Sequence, residues 1–180
     1  AGLGLGFLFL EILLIEKASF FLNDRTQGFA VVLTAMLVFS GLGSYASGAW
    51  LKDPHRGITL ACAVIAGWIV LALAFLDALF LALLGLPAAA KSAVLLAVIA
   101  PLAVALGFPF PLGLSLFRGR SSHFLPWAWS LNGAFSVIST PLANLLAVSA
   151  GYKMVLVLSL MLYLMVYGMF PAASGRQRIH

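Results

Sequence analysis

The sequence predicts an all-α fold, a polytopic bundle of six membrane-crossing helices. Three observations predict it. Hydrophobic residues make up 63% of the 180-residue chain and charged residues 8%, against roughly half and a quarter in soluble domains. The apolar residues gather into six runs, and a helix needs about 20 residues to cross the hydrocarbon of a bilayer. None of the runs alternates apolar and polar positions over about ten residues, as a barrel strand would. The net charge of +5 does not point to nucleic acid, because the basic residues cluster between the apolar runs, as in membrane loops. The single cysteine, Cys62, lies in an apolar run and reads as a buried, inert thiol.

The first run, 1–22, ends at "NDRTQG" (23–28), and the second, 28–51, at "KDPHRG" (52–57). The second run contains "FSGLGSYASG". Ser40, Ser44 and Gly48 repeat there at i+4, with Gly43 and Ser47 beside them. They form a ridge nearly free of side chains, suited to close helix packing or to a substrate path along it. The third and fourth runs, 57–85 and 89–117, are over-long and must tilt, kink or extend past the membrane surface. "LPAAAK" (86–91) separates them, and "RGRSSHFLP" (118–126) follows the fourth.

The fourth run contains "LGFPFPLG" (106–113). Pro109 and Pro111 each lack an N–H and clash with the carbonyl four residues back, which belongs to Ala105 and Gly107 respectively. The helix must kink or break there. Lipid tolerates a break only where it is buried in protein or faces a water-filled cavity, and broken helices recur at transporter binding sites. A simple packing kink is the alternative. In the fifth run, 127–149, Asn132, Ser136, Thr140 and Asn144 recur every four residues. They make a polar stripe that drifts slowly round the helix, either a polar cavity wall or glue between helices. Pro141 frees the carbonyl of Val137, and Trp127 and Trp129 open the run where an aromatic belt belongs. The reversal "AGYK" (150–153) leads to the sixth run, 152–171, and a polar tail.

Only five acids occur. With Asn23 and Asp24 at the outer surface, Glu16 lies about 10 Å and Glu11 about 18 Å below it. The two are about 140° apart around the helix and form no carboxylate pair. Lys17 can serve Glu16 by reaching to the surface. Glu11 has Phe7, Leu8, Leu14 and Ile15 one turn away, so it must meet another helix, with Asn132 the first choice, or hold its proton. Such a residue is a functional candidate by default, and a packing hydrogen bond is the alternative. Asp77 is expected at the outer end of the third run, near Lys91. "GLGLG" (2–6) lacks the spacing of a dinucleotide loop. His55, His123 and His180 are dispersed, so no metal, cofactor or covalent catalytic set is expected.

"GLGFLFLEILLIEKASFFL" with "FAVVLTAMLVFSGLGSYASG", and later "GFPFPLGLSLF" and "LPWAWSLNGAFSVIST", resemble the C-terminal membrane domain of bacterial spermidine-synthase-like membrane proteins. The resemblance covers nearly the whole chain. It implies a six-helix bundle like half of a major facilitator transporter, with Glu11, Pro109, Pro111, Trp127, Trp129 and Asn132 at the family's characteristic positions. The family often has Gln where this chain has Glu16. The family's aminopropyltransferase-like domain has no counterpart in these residues.

The expected protein is a single transmembrane domain over 1–180, the C-terminal part of a longer chain, since it lacks an initiator Met and a signal peptide's basic region. Six basic residues (Lys52, Arg56, Arg118, Arg120, Arg176, Arg178) oppose four (Lys17, Arg25, Lys91, Lys153). That bias favours both termini in the cytoplasm, with the domain in the inner membrane. Its partners would be the bilayer and transmembrane helices from upstream or from another chain, not nucleic acid. The function expected is to bind or pass a small cationic solute such as a polyamine. Glu11 would be the counter-ion, the Asn132–Asn144 stripe a wall, and the break at Pro109–Pro111 a source of carbonyls. An accessory subunit of a larger complex, or the membrane anchor of an aminopropyltransferase-like enzyme, are the alternatives.

Overall fold

A computed structural model of the chain describes residues 2–50, 53–115 and 124–169. Expectations placed on Lys52, Arg118, Arg120, His123, Arg176, Arg178 and His180 lie outside the described residues. Among the described residues, regular structure is entirely helical. Helix α1 spans Gly2–Leu22, and α2 spans Arg25–Ala46 and runs into a 3-10 turn at Ser47–Trp50. Helix α3 (Pro54–Leu71) continues through a π-helical turn at Ala72–Leu76 into α4 (Asp77–Ala82). Helix α5 (Ala88–Leu106) gives way at Gly107–Phe108 to the short α6 (Pro109–Ser115). Helices α7 (Phe124–Ala150) and α8 (Tyr152–Met169) are the last described elements. Among the described residues, five runs are long and apolar enough to cross a membrane: Arg25–Trp50, Pro54–Ala82, Ala88–Ser115, Trp129–Ala150 and Tyr152–Met169. Helix α1 has 21 residues but carries Glu11, Glu16 and Lys17.

Local chemistry sets the helix ends. Asn23 adopts φ 54°, the left-handed conformation that Asn tolerates better than most residues. The Asp24 carboxylate then caps α2, accepting from the N–H groups of Thr26 at 2.9 Å and Gln27 at 3.0 Å. Asp53 caps α3 in the same way, accepting from the Arg56 N–H at 3.4 Å. Pro54 follows at the first helical position, where its missing N–H costs nothing. Gly151, at φ 82°, makes the reversal between α7 and α8.

Helix α1 is the axis of the bundle and packs against α2, α5, α7 and α8. Its fully buried Leu10, Leu13, Leu14 and Phe21 belong to one apolar cluster with Met36 of α2, Ile65 and Ile69 of α3, and Leu95, Ile99 and Leu102 of α5. Membrane-length elements that follow one another in the chain alternate in direction. At one end, Lys17 of α1 meets Asp77 of α4 and the Tyr152 ring of α8. At the other, Gly2 of α1 lies against Val166 of α8, so the first and last described turns are together.

The charged end differs from expectation. Glu16 pairs with Arg25 at 3.1 Å, not with the adjacent Lys17. Residues i and i+1 point in different directions on a helix, and Lys17 instead reaches across to Asp77. Asp77 does not depend on Lys91, whose ammonium sits over the Phe21 ring at 5.4 Å.

Candidate functional site: a cleft at the helix break

The cleft begins where α2 and α5 come closest. A Cβ on Gly43 would lie 2.8 Å from the Val104 carbonyl carbon, and one on Gly107 would lie 2.7 Å from the Ser44 nitrogen. Only glycine allows backbones this near. The small-residue ridge of α2 therefore divides. Gly43 and Ser47 are buried, Ser47 donating to the Ser44 carbonyl at 2.6 Å. Ser40 and Ser44 line open space beside the seam, while a Cβ on Gly48 would touch nothing within 4 Å. Among the described residues, then, no neighbour packs against Gly48, which lies in the 3-10 turn beyond the seam.

The space beside the seam is a cleft of about 500 Å³, in the size range of small-molecule sites. Ser40 and Ser44 form one wall, and Leu106, Gly107, Phe110 and Pro111 of the interrupted helix form another. Trp129, Asn132 and Ser136 of α7 close a third side, with Leu3, Gly4, Phe7 and Leu8 of α1 and Tyr163 of α8 at the back. Trp129 packs edge-on against Phe110, ring centroids 5.0 Å apart, and so ties α7 to α6. Pro109 is buried at the start of α6 and does not line the cleft.

Several acceptors of the cleft are left without a donor. The Asn132 Oδ1 is buried with no hydrogen-bond partner. The Ser136 hydroxyl donates to the Asn132 carbonyl at 2.9 Å, and the Ser40 hydroxyl points to the Leu37 carbonyl at 3.5 Å. With their protons directed at their own helices, both hydroxyls turn lone pairs outward. At the break, the Ala105 carbonyl is taken up by the Phe108 N–H at 3.3 Å, so it is not freed as expected. Pro111 has no N–H to offer the Gly107 carbonyl, and among the described residues that carbonyl accepts no backbone bond outside the regular helices. The cleft therefore presents the Asn132 Oδ1 and the Gly107 carbonyl as unclaimed acceptors, beside the donors of the Asn132 amide, Ser44, Trp129 and Tyr163.

Glu11 and the rest of the α7 stripe lie elsewhere. Glu11 is 6% exposed and does not line the cleft. Asn132 lies instead against Gly4, seven residues or about 10 Å along α1 from Glu11. The expected Glu11–Asn132 contact is absent for that reason. Helices α1 and α7 run parallel, since Gly4 meets Asn132 and Ser136 while Ile12 and Glu16 share a second pocket with Asn144. An i+7 step returns to the same helix face. Glu11 thus faces α7 two turns beyond Asn132, at the level of Ser139, which is fully buried and donates to the Ser136 carbonyl at 2.6 Å. Among the described residues Glu11 enters none of the three ion pairs. Asn144 lies at the charged end, in a pocket of about 410 Å³ with Glu16, Arg25 and Thr26. Thr140 falls between the two pockets and lines neither.

Sequence reasoning missed Gly4, Phe110, Tyr163 and Ser139. "GLGLG" carried a usable signal: two glycines two apart face nearly opposite sides of a helix. Gly4 admits Asn132 of α7, and Gly6 admits the ring of Tyr163 of α8, whose Cε2 would be 2.7 Å from a Cβ there. No family model matches the chain, and no curated protein or solved structure is significantly similar to it.

Proposed function

We propose that the chain is an integral membrane domain whose cleft binds a small amine-bearing solute such as a polyamine. The observation that carries this reading is the convergence of the helix interruption, the α2 serines and the α7 amide on one cleft, where the Asn132 Oδ1 is buried without a partner and the Ser40 and Ser136 hydroxyl protons are directed at their own helices. An acceptor without a donor in a low-dielectric site is costly. A ligand with several N–H donors removes that cost and gains charge-assisted hydrogen bonds. The aromatic faces of Phe7, Phe110 and Trp129 around the cleft favour a cation further. Glu11 is no part of this ligand shell and acts in packing α1 against α7.

Six helical runs cross the membrane in this reading, α1 included, with the cleft at the cytoplasmic side, where both termini lie. The membrane is the bacterial inner membrane, as in the spermidine-synthase-like membrane proteins the sequence resembles. The second reading, an accessory subunit, is favoured by the side opening of the cleft between α2 and α7, which another transmembrane helix could cover. An anchor for an aminopropyltransferase-like enzyme remains the third.

The test is equilibrium binding of spermidine to the full chain in lipid nanodiscs, alongside its fully N-methylated quaternary analogue. The analogue keeps the charge and has no N–H. Saturable spermidine binding with weak or no binding of the analogue is expected. Equal binding of both would sink the donor–acceptor reading, and binding of neither would leave the subunit reading.

A further inference from the structure

Two pockets lie on either side of Thr140, and the residues between them fall in line on three helices. Leu8 lines the cleft and Ile12 the charged-end pocket, one turn apart on α1. On α2, Leu37 lines the cleft and Phe29 the other pocket, with the half-buried Leu33 between them. On α7, Ser136, Thr140 and Asn144 continue the same line, none of them buried. Steps of four residues keep each series on nearly one helix face. The α1 floor is apolar and the α7 wall polar. The Asn132 Oδ1 is unpaired, and Asn144 is exposed beside the Glu16–Arg25 ion pair. The Ser136 hydroxyl is served by its own helix, but a side-chain amide facing lipid finds no partner there, whereas water or a polar solute meets it.

We infer that the two pockets join between α2 and α7 into a furrow, a water-filled track for the amine, leading from the cleft past Thr140 to the mouth at Glu16, Arg25 and Asn144. The inference rests on the amine reading of the cleft and adds a route across the membrane to it. The α7 stripe supplies acceptors about 6 Å apart, so a donor can exchange one for the next.

The test is cysteine accessibility in the full chain in membrane vesicles. Cys62 is 5% exposed, so the background is low. Thr140→Cys and, on the opposite wall, Ile12→Cys are compared with Ser40→Cys in the cleft. Leu71→Cys serves as the lipid-facing control, since Leu71 lies mid-way along its run and is 60% exposed. The probe is a membrane-impermeant cationic methanethiosulfonate, which needs a hydrated thiolate. Thr140→Cys and Ile12→Cys are expected to react at least about tenfold faster than Leu71→Cys, and spermidine should slow them. Reaction of Ser40→Cys alone would overturn the track and leave the cleft standing. If Ser40→Cys is also as inert as Leu71→Cys, the cleft reading fails with it. Fast reaction that spermidine does not slow would show a hydrated furrow that is not an amine track, and would overturn the inference.

Discussion

Gly41 and Gly43 are two residues apart on α2, and adding one methyl group to each should have opposite effects. A Cβ on Gly43 would lie 2.8 Å from the Val104 carbonyl carbon and 3.0 Å from its Cα. Carbon atoms pack best at about 3.5–4.0 Å, so the seam must open by about 1 Å, and a gap of that size forfeits up to about half of each dispersion contact. The contacts at stake include Ala35 and Met36 of α2 and Ala103 and Leu106 of α5, all buried. Overpacking of this kind costs about 1–3 kcal/mol, and the neighbouring atom here is backbone that cannot rotate away, so about 3 kcal/mol is expected. A Cβ on Gly41 would meet nothing within 4 Å. Gly41 sits inside a helix, where Ala is favoured over Gly by up to about 1 kcal/mol. Thermal unfolding of the full chain in mild detergent should therefore show Gly43→Ala melting well below wild type and Gly41→Ala at or above it. Similar melting of the two variants would refute the α2–α5 seam.

Three further outcomes follow from the same geometry. Asn132→Leu removes a buried, unpaired oxygen whose burial costs about 1–3 kcal/mol; the variant should melt no lower than wild type while losing spermidine binding. Asp77→Ala breaks an ion pair whose Asp77 side chain is 58% exposed, so stability should fall by no more than about 1 kcal/mol, and high salt should shrink the difference. Phe110→Ala removes the edge-on contact with Trp129, worth about 0.5–1.5 kcal/mol beyond area burial. It should loosen α6 against α7, raising hydrogen exchange at the helix interruption more than in α1.

Much of the helical layout could be read locally. Apolar runs, the Asp24 and Asp53 caps and the Gly151 reversal each act within a few residues. The interruption at Gly107–Phe108 falls where two closely spaced prolines remove N–H donors from the helix. What joins the elements could not be read that way. Lys17 and Asp77 are 60 residues apart, and nothing near Lys17 in sequence prefers Asp77 to Glu16. The polar stripe of α7 was visible as a period, but helix spacing alone does not say which neighbour each member meets. Gly4 decides that for Asn132 by letting α7 approach, and the same approach leaves Glu11 two turns away. The α2 ridge was legible as small residues, while its division into seam and cleft wall depends on where α5 ends.

The central claim is that the cleft at the helix interruption, and not the buried carboxyl of Glu11, holds the ligand. Spermidine titration of wild type, Asn132→Leu and Glu11→Gln in nanodiscs tests it directly. The account predicts that Glu11→Gln binds within about twofold of wild type, since it keeps the packing group, and that Asn132→Leu binds at least about tenfold more weakly, the loss of one charge-assisted hydrogen bond. Binding that survives Asn132→Leu and disappears in Glu11→Gln would contradict it.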